Sequence, residues 1–460
     1  MKKHPLYLIL GLLLAPSVLF GDATLWREWA KTPPMGWNSY DCFGAAVYES
    51  EVKANADVMA ERLKKFGWEY IVVDYCWSYP HPPGNGQDNP PQFELPRGGL
   101  VPWLEMDEYG RLLPTPMKFP SCTPEVGFKP LADYVHSLGL KFGIHVMRGI
   151  PKQAVLAKTP VLGTEGIDAS MIADTSSTCP WLNQMYGLDM SKPGAQEYLN
   201  SLLDLYASWD VDYIKVDDIH TTHAGDLRYS AAEVEGYRKA IDQCGRPIVL
   251  SLSPKIVHES SAGHVENYAN LWRISADFWD RWDKLKEMFD LVEQWNEYRT
   301  PGSWPDNDMI PFGKLRRRGP FGEESQSQFT LDEHRTLMSL WCITRSPLMF
   351  GGDLAVLDEF TESIITNEEV LQANIEGSDP KLFYREGNQV VWLSNHGDDA
   401  KFLALFNLGE EAEVIEIKIS DLGMKKPKRM RDLWHQKKVR VGDILSVKIP
   451  PHGAAMYKVE

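Results

Sequence analysis

Short apolar runs separated by amphipathic segments recur along the first 380 or so residues, so the period of the pattern switches between two and about 3.6. The runs fall at 35–37, 70–73, 140–145, 213–216, 248–250, 271–273 and 342–343. Each reads as a short buried strand. Segments 51–66, 195–209 and 231–244 gather their apolar residues on one helical face and lie between these runs. Strands alternating with helices imply a parallel sheet. About eight such repeats predict an α/β chain closed into a (β/α)8 TIM barrel rather than an open sheet.

The pattern changes near residue 379. Alternating runs at 390–393, 402–406, 414–419 and 444–449 are punctuated by turn residues such as Gly387-Asn388 and His396-Gly397-Asp398. This predicts a small antiparallel β-sandwich over 379–460, with the barrel over 22–378. The first residues belong to neither. Lys2, Lys3 and His4 precede an apolar run at 6–20 that ends at Gly21-Asp22. A basic start and a short apolar core predict a signal peptide over 1–21. The run is short for a membrane span, which needs about 20 apolar residues. The expectation is an exported protein, periplasmic or extracellular, without membrane insertion once the signal is removed.

Charge narrows the partners. A net charge of -16 argues against nucleic acid and anionic membrane surfaces. The six cysteines (Cys42, Cys76, Cys122, Cys179, Cys244 and Cys342) show no CxxC or Cys/His metal spacing, so no zinc site is expected. In an oxidising compartment some of them are candidates for pairing.

The chemistry gathers at the strand ends, where barrels place catalytic side chains. In segment 210–218, DVDYIKVDD, alternation puts Ile214 and Val216 on one face and Lys215 and Asp217 on the other. A lysine beside a carboxylate keeps it ionised, as a nucleophile requires. A structural ion pair inside the barrel is the competing reading. Segment 270–277, NLWRISAD, ends the next strand but one at Asp277, with Arg273 four residues earlier. Hydrolysis of a glycoside with retention needs two carboxyl groups about 5–5.5 Å apart, one ionised and one protonated. Segments 73–77, VDYCW, and 304–309, WPDNDM, add Asp74 and Asp308 beside tryptophans, a pairing suited to sugar hydroxyls and ring faces.

These motifs, with TPPMGWNSY at 32–40 and LWCITRSPLMFGGD at 340–353, occur in an order that resembles the α-galactosidases of glycoside hydrolase family 27. The resemblance covers roughly residues 30–375, and the tail is similar to that family's C-terminal β domain. It implies a retaining exo-glycoside hydrolase that releases terminal α-D-galactosyl residues by double displacement, with Asp217 as nucleophile and Asp277 as acid/base. Lys215, Arg273, Asp74 and Asp308 match sugar-binding positions. The substrate is then a galactoside-containing glycan, no metal or organic cofactor is implied, and a homo-oligomer stays open.

The chain also departs from that pattern. Tyr75 stands where the galactosidases carry the second Asp of a pair gripping the 4- and 6-hydroxyls. The bulk of Tyr75 favours a β-L-arabinopyranoside, which is the galactose ring without C6. Tyr40 replaces a platform Trp and His145 a binding Tyr. Ser253, in LSLSP at 250–254, is small, as in the family's α-N-acetylgalactosaminidases. The insertion 78–120 predicts a loop over the site. The resemblance pairs Cys76, with Cys42 a suitable partner; Ile219 stands where the usual partner lies, which leaves Cys179 to join Cys122 or stay free. From a different class, a metal-dependent hydrolase using His145, Asp217, Asp218, His220 and His223 is the weaker alternative, and a non-catalytic sugar-binding protein a third.

Overall fold

The structure is a computed structural model and describes residues 25–80, 92–94, 100–223, 226–255, 259–318, 322–424 and 427–460. The expected signal peptide lies outside the described residues, as do 81–91 and 95–99 of the insertion.

Eight parallel strands form the first sheet: β1 (Met35–Asn38), β2 (Tyr70–Val73), β3 (Lys141–Met147), β4 (Tyr213–Asp217), β5 (Val249–Leu252), β6 (Leu271–Arg273), β7 (Trp304–Asp306) and β8 (Leu348–Phe350). Their order is β7-β6-β5-β4-β3-β2-β1-β8. A parallel bridge between Ile310 and Phe350 joins the two ends, so the sheet closes. A helix follows each strand: α1 (Glu49–Val58), α2 (Lys129–Ser137), α3 (Ala195–Ser208), α4 (Ala231–Gln243), α5 (Ala262–Tyr268), α6 (Trp282–Trp295), α7 (Leu331–Ile343) and α8 (Glu368–Glu376). This is the (β/α)8 architecture.

The two faces of β4 divide as alternation requires. Ile214 and Val216 join the large core beneath the helices. Tyr213 joins Tyr70, Val72, Val249 and Leu271 in the core inside the barrel. Gly36 on β1 permits close approach, because a Cβ there would stand 2.5 Å from the Tyr70 carbonyl oxygen.

Two strand expectations shift. The run 342–343 closes α7 instead of forming a strand, and the strand begins at Leu348. Trp341, Cys342 and Ile343 are fully buried, and a helix end buried all round carries no amphipathic period to reveal it. Strand β7 contains only Trp304, Pro305 and Asp306, too short and too polar to read as an apolar run.

The tail forms β9 (Ser378–Glu386), β10 (Gln389–His396), β11 (Ala400–Asn407), β12 (Glu413–Lys418), β13 (Met430–Asp432), β14 (Lys437–Val439), β15 (Ile444–Ile449) and β16 (Ala454–Val459). A six-stranded antiparallel sheet, β9-β10-β11-β16-β13-β14, is covered by the β12-β15 pair. Val391 and Leu393 on β10 face the sandwich interior. Val390 and Trp392 face the barrel side and share its core. Phe406 meets Phe289 of α6 edge-on at 5.0 Å, a contact worth about 0.5–1.5 kcal/mol beyond the area it buries. Both faces of this sheet are therefore buried, and the sandwich is seated on α6 and α7 rather than tethered.

Candidate active site

The C-terminal ends of β1, β2, β4, β6 and β7 surround a cavity of about 350 Å3 whose wall includes Tyr40, Asp74, Tyr75, Lys215, Asp217, Arg273, Asp277 and Asp308. Eight of the ten residues singled out from sequence thus line one space. The ends of parallel strands are where a barrel presents side chains that its own core does not consume.

At its base Lys215 Nζ lies 3.0 Å from Asp74 Oδ2, and the same oxygen accepts from Asn38 Nδ2 at 2.8 Å. The other Asp74 oxygen accepts from the Tyr75 amide at 2.9 Å. Burial would push this carboxyl up, but Lys215, His145 and these hydrogen bonds hold it well below the usual carboxylate range. Lys215, conversely, is buried yet held above its ordinary value by Asp74 and Asp217. The pair is ionised as a unit.

Asp217 ends β4. Its Oδ1 accepts from the Asp218 amide at 2.8 Å, and its Oδ2 lies 3.1 Å from His145 Nε2. Burial raises this carboxyl, and the His145 hydrogen bond, the His145 charge and Lys215 together outweigh it, so the net direction is down. Asp217 is therefore held as an anion in a largely buried wall. Behind it Arg148 fixes the chain: its amide donates to the Asp217 carbonyl at 2.9 Å, and its guanidinium donates to Asp218 Oδ2 at 2.9 Å and Glu233 Oε1 at 2.6 Å.

Asp277 lines the same cavity. Its side chain is 54% exposed, against 12% for Asp217. Arg273 Nη2 reaches Asp277 Oδ1 at 3.4 Å and Asp308 Oδ2 at 2.7 Å. Asp308 Oδ2 also accepts from the Phe278 amide at 2.7 Å. A backbone φ of +84° at Asp308 turns it into the cavity, an arrangement aspartate tolerates better than most residues. Burial, opposed by Arg273 and reinforced by Asp277 and Asp306, moves the Asp308 carboxyl up.

Aromatic rings form the rest of the wall. Tyr75 is 4% exposed and packs edge-on against Tyr40 at 5.5 Å and His145 at 5.9 Å. Trp181 lies 6.5 Å from Tyr75 and lines the cavity with half its surface exposed. Neither Trp181 nor Arg148 was singled out from sequence. Trp181 follows Cys179-Pro180 in a stretch without periodicity, and Arg148 lies three residues past a candidate in an otherwise ordinary run; neither carries a local signal.

The remaining expectations are placed by the structure, and those for the insertion and the cysteines are corrected. His145 is buried and meets the site through the Asp217 carboxylate and the Tyr75 ring. Ser253 is buried directly before Pro254, which lines the cavity. The insertion 78–120 does not arch over the site in its described second half: Leu104, Leu112, Leu113 and Phe119 are core residues. Lys118 is buried there too, donating to the carbonyls of Ala45 at 2.8 Å and Cys76 at 2.6 Å. All six cysteines are free. Cys42 sits near Asp353 and Arg317 and Cys76 near Lys118 and Tyr79, so the two face different surroundings and form no bridge; Cys122 and Cys179 are likewise unpaired. Asp218, a member of the alternative metal set, is turned onto Arg148. The His223 side chain lies outside the described residues.

Comparison with known proteins agrees with this geometry. Residues 182–376 match the family model for alpha galactosidase A, and 386–459 match that for the alpha galactosidase C-terminal beta sandwich domain. A family 27 β-L-arabinopyranosidase from Geobacillus stearothermophilus is 47% identical, with a TM-score of 0.88 over 95% of this chain and 98% of that one. An alpha-galactosidase of Cyamopsis tetragonoloba is 28% identical over 93% of this chain and 86% of its own length. The alpha-N-acetylgalactosaminidase of Rattus norvegicus is 26% identical over 98% and 95%. With one family model matching the second half of the barrel, another the sandwich, and a solved relative at nearly half identity along almost the whole chain, this protein belongs to glycoside hydrolase family 27 and is a glycoside hydrolase.

Proposed function

We propose that the chain is a retaining exo-hydrolase of terminal galacto-configured pyranosides, of the α-D-galactosyl type, attached to oligo- or polysaccharides. The observation that carries this reading is the placement of Asp217 and Asp277 on one cavity with opposite solvent contact. In the first step an Asp217 oxygen attacks the anomeric carbon while Asp277 gives its proton to the departing glycosidic oxygen. In the second, Asp277 takes a proton from water, the water oxygen attacks the same carbon, and Asp217 leaves as the carboxylate. The low-lying Asp217 carboxyl suits the nucleophile's role. Lys215, Asp74, Arg273 and Asp308 surround the sugar ring and offer both donors and acceptors to its hydroxyls.

A second reading has its own support. Tyr75 is packed on Tyr40, His145 and Trp181, so its ring is held in the cavity wall and cannot swing away cheaply. A ring without C6, the β-L-arabinopyranosyl group, would fit beside it with less crowding. The 47% identical relative is a β-L-arabinopyranosidase, which favours the same sugar.

The test is hydrolysis of three nitrophenyl glycosides (α-galactoside, β-L-arabinopyranoside and α-N-acetylgalactosaminide) with Asp217→Asn as the blank. Preference for the α-galactoside supports the first reading and preference for the arabinopyranoside the second. Turnover of none of the three, with wild type no faster than the blank, removes both. Export of the protein is also proposed, on the basic start and the apolar run at 6–20; N-terminal sequencing of the protein recovered outside the cytoplasm would read a start beyond residue 20.

A further inference from the structure

Charge is unevenly spread over this chain. It holds 64 Asp and Glu against 48 Lys and Arg, yet residues 428–458 hold eight Lys or Arg and only two acidic residues, Asp432 and Asp443. That stretch builds β13, β14, β15 and most of β16, and part of it edges a cleft of about 460 Å3 between the sheet and α8. Lys428, Arg429, Arg431, Lys438 and Lys458 line the cleft, against the carboxylates of Glu369 and Glu460. The two carboxylates are already engaged. Glu369 takes Arg431 in a two-pronged pair at 2.5 and 2.6 Å. Glu460 lies 3.0 Å from Lys458 and 4.0 Å from Arg429. Lys428 and Lys438 are exposed, and the Arg429 side chain is 82% exposed. The cleft floor is apolar, with Met430 and Leu433 buried beneath it.

We propose that this cleft is an accessory binding site for an acidic glycan, a polymer whose sugar units carry carboxylates. The proposal rests on the reading of the enzyme as a hydrolase of glycan termini. A uronate unit has an apolar ring face and an anionic edge, and the cleft offers an apolar floor with cations on its rim. The charge balance supplies the second argument. An acidic polymer is repelled by a molecule of net charge -16 except where local potential reverses, and long-range steering brings it to the face where that happens. A bilayer is a poorer match: the cleft is concave, and the exposed apolar residues of this domain, Val414 and Ile444, lie on the β12-β15 pair, away from it. Binding here would hold the enzyme on the polymer while the barrel trims its terminal sugars.

The experiment is affinity electrophoresis of the full-length protein in gels containing polygalacturonate, with dextran as the neutral control. Its variant is Lys428→Ala/Arg429→Ala/Lys438→Ala, whose three residues make no contact with the barrel cavity. Wild type should be retarded by polygalacturonate and not by dextran, and the retardation should fade as salt shortens the reach of charge. The triple variant should bind roughly tenfold more weakly, the scale of three solvent-exposed ion pairs, with unchanged turnover of the preferred nitrophenyl glycoside to show it is folded. Absence of retardation, equal retardation by dextran, or a triple variant that binds as well as wild type would each overturn the proposal. Stronger binding to anionic phospholipid vesicles or duplex DNA than to polygalacturonate would overturn it as well. Loss of the proposed function reads differently, as a protein with no nitrophenyl glycosidase activity whatever its mobility.

Discussion

His145 Nε2 and the Asp218 amide hold the two carboxylate oxygens of Asp217, at 3.1 and 2.8 Å, one from a side chain and one from the backbone. The backbone contact cannot be removed by substitution; the imidazole can. A hydrogen bond to a charged group is worth about 1.5–3 kcal/mol, so His145→Phe should lower kcat/KM by roughly 10- to 100-fold. The sign of the pH effect follows from direction. Asp217 is held low partly by His145, so its removal lets burial raise the carboxyl. The acid limb of the kcat/KM profile should move to higher pH. An acid limb that stays in place while activity falls would show that His145 serves the sugar and not the nucleophile.

Asp277→Ala tests the division of labour across the cavity. General-acid assistance contributes about 10²–10⁴-fold, and a dinitrophenol leaving group needs little of it. Activity on natural linkages should fall by that scale, while formation of the glycosyl-enzyme from the dinitrophenyl glycoside should be nearly unchanged. Equal loss on both leaving groups would take the acid role from Asp277.

Tyr75→Ala enlarges the wall at the place where the proposed arabinopyranoside reading puts the missing C6. The ratio of kcat/KM for α-galactoside to β-L-arabinopyranoside should rise by about tenfold, the scale of one or two methylenes of space in a pocket. An unchanged ratio would place the control of C6 elsewhere on the wall.

Asp218 gives a stability prediction. Burial, against the pull of Arg148, raises its carboxyl from 3.8 to about 7. Between those values the folded protein holds a proton that the unfolded chain has released, so this group's contribution to stability falls as pH rises through that window. Asp218→Asn, which keeps the shape and an acceptor for Arg148, should flatten the loss. Thermal unfolding at pH 5 and pH 8 measures it: the gap in Tm should shrink in the variant, and a gap as wide as in wild type would contradict the assignment.

The barrel was legible because its strands alternate chemistry as well as hydropathy. Tyr213, Lys215 and Asp217 share the inner face of β4, which a period of two reveals directly. Strand β7 was not legible, since three residues including Pro305 leave no period to detect. In the site, the carboxylates at strand ends announce themselves, but Trp181 enters from a loop and Arg148 from behind Asp217, and only the fold brings either into range. Ser253 shows a different case: its small size is read from the chain directly, but that Pro254 beside it lines the cavity is not. Lys118 lies far from β2 in sequence yet caps the carbonyl of Cys76 just past its end; a lysine held by backbone carbonyls leaves no trace in composition.

The contrast in exposure between Asp277 and Asp217 means that, in the proposed cycle, proton traffic and bond-making have separate addresses. One side chain trades with bulk water through the open mouth, and the other is mostly covered by its own supporting shell. The resting charge state can therefore be restored between turnovers without any movement of the barrel, because the more exposed partner is the one that exchanges protons.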